Sequence, residues 1–188
     1  MERRRMLHIF KVAKECGPYD ELPALPDEFD LQLHLSRNDR PQPFYLICDH
    51  DTVLVQMSGE GRVEFKDAPV LYHTLEPGDW VYVPAGTPHR LVPDVESVQV
   101  RYKAQKPALE GVAWYCQRCG AELWRDEWEL AREFPQEAYL RACQEFNADT
   151  ARRTCSVCGA EHPSVELSGF RWHEIAQDLR QEGAAKQG

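Results

Sequence analysis

The chain has 188 residues, 43% of them hydrophobic and 28% charged, with a formal net charge of −9; this is enough for one sizeable core with a small appendage and excludes a disordered or fibrous protein. Apart from Arg3-Arg4-Arg5 the basic residues are scattered, which excludes an electrostatic footprint for nucleic acid or an anionic membrane. No apolar run suits a signal-peptide core or a spanning segment, and seven cysteines without a secretory signal favour metal binding over disulfides, so the expected location is cytoplasmic.

In chain order, "HIFKVAKE" has helical spacing and stops at Gly17-Pro18, giving a short N-terminal helix and arm over residues 1–28. From Phe29 the period changes to two. "FDLQLHLS" puts Leu31, Leu33 and Leu35 on one face and Gln32, His34 and Ser36 on the other. "FYLIC", "TVLVQM", "GRVEFK", "WVYVP" and "VQVRYK" follow between turn-rich segments, and His89 enters a further strand after "PAGTP". This series predicts an all-β barrel or jelly roll over residues 29–106, with aromatics such as Phe44, Tyr45, Trp80 and Tyr82 filling its interior.

Beyond residue 107 the composition shifts to cysteine, tryptophan and helix formers. "PQEAYLRACQEFN" predicts a helix burying Tyr139, Ala142, Cys143 and Phe146, and residues 171–188 a helix with a fraying tail "QEGAAKQG". Flanking the first of these helices are "CQRCGAE" and "CSVCGAE". Each knuckle spaces two thiolates so that both reach one ion, with a glycine free to take a positive φ. Cys116, Cys119, Cys155 and Cys158 therefore form a tetrahedral set suited to zinc or a single iron, closed to substrate, in a unit spanning 107–170. Trp114, Tyr115, Trp124 and Trp128 are expected to form its apolar surround.

The strand, turn, "PAGTPH" and strand sequence, "VQMSGEG", and the paired "WYCQRCGAELW" and "ARRTCSVCGAEHP" together resemble bacterial 3-hydroxyanthranilate 3,4-dioxygenase, a cupin with a non-haem Fe(II) and a rubredoxin-like C-terminal metal site. The resemblance implies a cupin barrel, a homodimer and a small-molecule substrate. It assigns His89 to a metal ligand. It also places Leu46 and Thr52 where the family has its other histidine and its glutamate, and Pro93 where the family has a substrate-binding arginine.

Two readings follow. Either His34, His50, Asp49 and Asp51 join His89 in a rebuilt site for Fe(II) or another divalent metal, giving an oxidoreductase for a different small aromatic metabolite. Or the barrel is catalytically degenerate and the chain is a small-molecule binding or protein-interaction module, with "CDHDT" a solvated turn.

Overall fold

The computed structural model of the chain describes residues 8–24, 31–104 and 109–187, with side chains as far as Gln181. The expected strand start at Phe29 lies outside them. Among the described residues, eleven strands form two antiparallel sheets. The first contains β1 (Leu22–Pro23), β2 (Leu31–Asn38), β9 (Ser97–Ala104), β4 (Thr52–Ser58) and β7 (Trp80–Val83), in that order. The second runs β11 (Glu122–Glu129), β10 (Leu109–Tyr115), β3 (Tyr45–Cys48), β8 (His89–Pro93), β5 (Gly61–Phe65) and β6 (Tyr72–Leu75). This is the expected cupin-type barrel.

The polar alternation of β2 faces inwards. Gln32, His34, Ser36 and Asn38 are all buried, while Leu31 is half exposed. The outer leucines form a second, smaller core, in which Leu35, Val98 and Val100 meet Ala13 and Cys16, with Ile9 and Val12 of α1 (Ile9–Val12) packed alongside. One sheet thus buries apolar residues on its outer face and polar ones within the barrel.

At the β4–β5 hairpin, Gly59 has φ +72°, and a Cβ there would come within 2.4 Å of Glu96 O. Only glycine fits that approach.

β10 and β11 are absent from the sequence-based expectation, which read this stretch as cysteine knuckles and helix. From Glu110 to Tyr115 every residue of β10 is buried, so no alternation betrays the strand. Its inner face, Val112 and Trp114, joins the main core; its outer face, Ala113 and Tyr115, packs with Tyr45 and Ile47.

Against this end lies α2 (Pro135–Ala148), which buries Tyr139, Ala142, Cys143 and Phe146 as its spacing predicts. The ring of Phe146 stacks on Trp114 at 4.4 Å between centroids. A one-turn helix, α3 (Thr150–Arg153), precedes the second knuckle. α4 (Trp172–Gln187) runs through most of the tail expected to fray, and its Trp172 caps the barrel beside Phe44 and Tyr139.

Three of the four aromatics expected inside the barrel depart from expectation: Tyr45 is buried on the outer face with Ala113 and Tyr115, while Trp80 and Tyr82 alternate with the inward Val81 and Val83 and are 66% and 50% exposed on the edge strand β7. Strand parity, set by the buried valines, turns them outwards.

Candidate metal centre and the barrel interior

The two knuckles are near copies. In each, the glycine takes a left-handed conformation, φ +77° at Gly120 and +71° at Gly159, and donates its N–H to the first cysteine's carbonyl. The first cysteine's N–H bonds in turn to Ala121 or Ala160. Amides from Cys119 and Cys158 point back at the sulfurs of Cys116 and Cys155, lowering both thiols, Cys116 to about 6.

The four sulfurs lie within 4.8 Å of one another, with Cys116–Cys158 and Cys119–Cys155 both at 3.5 Å. A tetrahedral ion with bonds of about 2.3 Å to sulfur sets its ligands roughly 3.8 Å apart. The donor set fits zinc or a single iron, and among the described residues it is the cluster that could hold a metal.

The aromatic surround is arranged differently from expectation. Trp114 and Trp124 stack with Phe146 between sheet and helix, Trp128 packs on Tyr139 and Tyr115 on Tyr45. Cys119 remains exposed.

The three positions singled out by the resemblance lie on three strands. Leu46 on β3 pairs directly with His89 on β8, and Thr52 lies buried on β4. Neither Leu46 nor Thr52 offers an imidazole or a carboxylate. His89 is fully buried and its Nδ1 lies 3.0 Å from Thr87 O, so the proton sits on Nδ1 and Nε2 presents a lone pair to the interior. That lone pair is met by the guanidinium of Arg101 on β9, at 2.7 Å. Burial, then Arg101, pushes His89 down to about 3.

Arg101 is 2% exposed and donates from Nε to Glu21 Oε1 at 3.2 Å. Burial alone would raise the Glu21 carboxyl, but Arg101 and His34 hold it below its ordinary value. One layer along, Lys103 Nζ reaches Glu110 Oε1 at 2.5 Å, with Cys48 beside them pushed up to about 12 by burial and by Glu110. These two cations and two carboxylates balance. In a third polar layer Asn38 Nδ2 donates to Gln99 Oε1 at 2.8 Å and Gln99 Nε2 donates to Gln56 Oε1 at 2.6 Å.

Glu21 arrives on the N-terminal arm. Its N–H donates to Ser36 Oγ, Tyr19 N–H donates to Asn38 Oδ1, and Trp172 Nε1 donates to Tyr19 O. Gln136 Nε2 donates to the carbonyls of Asp20 and Glu21. Tyr19 and Glu21 both have φ +48°, a costly conformation for such side chains that persists because these bonds over-determine it. The crevice left among Glu21, His34, Ser36, Gln99 and Arg101 is too narrow to admit a water molecule. Sequence reasoning missed Glu21 and Arg101; the only available signal was a charged residue at an inward position of an apolar strand.

The other candidates do not converge on His89 as a metal site among the described residues. His34 is buried with Nδ1 3.0 Å from Glu21 O, and its Nε2 meets no hydrogen-bond partner there. Burial and Lys103 lower it to about 4. Asp49 and Asp51 are exposed and His50 is half-buried in the β3–β4 turn; Asp51 accepts from Ala85 N–H at 3.0 Å, tying this turn to the one before His89.

No family model matches the chain. It is 29% identical over 118 residues to 3-hydroxyanthranilate 3,4-dioxygenase 1 of Aspergillus clavatus, covering 62% of this chain and 56% of that protein. The 3-hydroxyanthranilate 3,4-dioxygenase of Coccidioides immitis gives 30% with the same coverage, and that of Yarrowia lipolytica 27% over 126 residues, 65% and 67% of the two chains. The chain therefore spans little more than half the length of most relatives it matches. Among solved structures, a hydroquinone 1,2-dioxygenase is similar with TM-score 0.46 and 23% identity over 52% of this chain and 71% of the other. A cupin-2 domain protein from Shewanella frigidimarina gives 0.44 and 19% over 53% and 94%. The chain is similar in sequence to the 3-hydroxyanthranilate 3,4-dioxygenases.

Proposed function

We propose that this dioxygenase-like cupin has given up metal-dependent ring opening and serves as an interaction module, with its C-terminal end held together by a metal in the four-cysteine site. The observation that carries this reading is the 2.7 Å contact between Arg101 and His89 Nε2. It occupies the one family-type ligand that remains, while Leu46 and Thr52 offer no others. A barrel metal of the Fe(II) type does not fit these residues. An oxygenase metal must also keep open positions for substrate and O₂, and the crevice has no room for an aromatic ring.

The four-cysteine site fits a metal but has no open position once four thiolates bind, so its role is structural. Contact with a partner falls to the surface, where Trp80 and Tyr82 project from the edge strand β7. Exposed aromatics beside unpaired strand edges are docking features.

The deciding assay is ring cleavage of 3-hydroxyanthranilate with added Fe(II). No turnover is expected. Turnover of about 1 to 10 per second, the ordinary enzyme range, would overturn the proposal.

A further inference from the structure

The interior of the barrel raises a question that the lost ligands alone do not answer. Leu46 and Thr52 account for weak metal affinity, but not for a buried arginine aimed at the remaining histidine. A guanidinium is permanently charged, and burying it is costly unless it is paired and hydrogen-bonded. Here it is both, and its surroundings have the composition of a metal site. His89 offers Nε2 at 2.7 Å, with Nδ1 fixed by a backbone carbonyl, the arrangement by which proteins orient metal-ligating histidines. Glu21 offers a carboxylate to Nε at 3.2 Å, and its Oε2 meets no hydrogen-bond partner among the described residues. His34 is the cross-strand partner of Arg101 and lines the same crevice, its Nε2 unpartnered. One imidazole and one carboxylate hold a single cation, and a second imidazole lines the crevice beside it.

The chain has also gone to some length to supply that carboxylate. Glu21 belongs to the arm and not to the strand where Thr52 stands, and it is held in a left-handed conformation by Ser36 and Gln136.

We propose that Arg101 is a resident cation: its guanidinium, held by His89 and Glu21, takes the place of a divalent metal in this barrel and keeps such a metal out. Charge accounts for both halves. The barrel's two cations already balance Glu21 and Glu110, so a divalent ion entering beside Arg101 would meet repulsion in a poorly screened interior and find the His89 lone pair occupied. With the guanidinium removed, the same interior is left with excess negative charge, a free His89 lone pair and a free Glu21 carboxylate, donors of the kind a divalent metal takes.

This inference rests on the reading of a metal-free barrel, yet its failure is distinguishable, because the ring-opening assay reports on wild-type chemistry and the following titration on Arg101. The full chain, with its four-cysteine site already loaded, is titrated with Co(II), and additional uptake is followed by equilibrium dialysis and the visible absorption of the ion. Wild type and Arg101→Lys, which keeps a cation, should take up no Co(II) in the barrel. Arg101→Ala should gain a bound Co(II), and Arg101→Ala/His89→Gln should lose it. Uptake by wild type that disappears in His89→Gln, or a folded Arg101→Ala that takes none, would overturn the proposal. Should Arg101→Ala not fold, Arg101→Gln, similar in size but neutral, is compared with Arg101→Lys in urea. A much lower midpoint for Gln than for Lys is expected; equal midpoints would show that the charge is not what this position requires.

Discussion

The knuckles and the barrel interior are both places where side chains converge on a central charge, but they are assembled in opposite ways. At the knuckles all four ligands are the same chemical type, each pair lies within one tight turn, and the glycine and amide bonds orienting the sulfurs are local. The barrel's charged centre draws His89 from β8, Arg101 from β9, His34 from β2 and Glu21 from an arm stapled by α2 and α4. A local site can be removed as a unit. A distributed site cannot lose one member without stranding the others in a dry interior.

That contrast predicts the order of effects. The largest should come from stripping the four-cysteine metal with a chelator, since binding free energy at such sites is folding free energy, on the order of 10 kcal/mol in isolated motifs. Hydrogen exchange should show loss of protection centred on both knuckles and α3, with the Leu54, Val63 and Val112 core retained; uniform loss across the chain would erase the distinction. Cys119→Ser should act in the same direction.

Next is Arg101→Met, which leaves Glu21 buried without its partner. Breaking a buried pair in this manner costs about 3 to 5 kcal/mol, read by urea unfolding. Adding Glu21→Gln should restore part of the loss, and strict additivity would argue that the two groups are not coupled.

A pH effect comes third. His34 and His89 are held at about 4 and about 3, below an ordinary imidazole near 6.5. The unfolded chain therefore takes up these protons first: stability is full above about pH 6.5 and falls as the pH drops towards 4. Glu21, whose folded value is lowered, adds a further loss below the ordinary carboxylate range. Urea midpoints should decline between about pH 7 and about pH 5, and His34→Gln should flatten part of the decline. A level profile would contradict the buried, neutral state of these rings.

The smallest effect belongs to "CDHDT". Asp51→Ala removes exposed contacts to Ala85 N–H and to the Tyr82 hydroxyl, and should cost about 0.5 to 1 kcal/mol. A loss several times larger would give this turn a weight its exposure does not suggest.

The same contrast explains what could be read from the sequence. The four cysteines were legible because spacing alone defines a knuckle, and β2, β4, β5, β7 and β9 because alternation survives wherever one face differs from the other. β10 was not, since both of its faces are buried, nor the outward aspect of Trp80 and Tyr82, which depends on which valines meet the core. The resemblance identified Leu46 and Thr52 as departures from a metal motif. That Arg101 would turn towards His89, 12 residues away, and that residue 21 would reach it from 80 residues away, leaves no periodic trace.

The most direct test of a barrel without metal is the metal content of the purified chain beside that of His89→Gln. The account predicts the same content in both, carried by Cys116, Cys119, Cys155 and Cys158 and lost in Cys119→Ser/Cys155→Ser. A second metal in the wild type that disappears with His89 would contradict it.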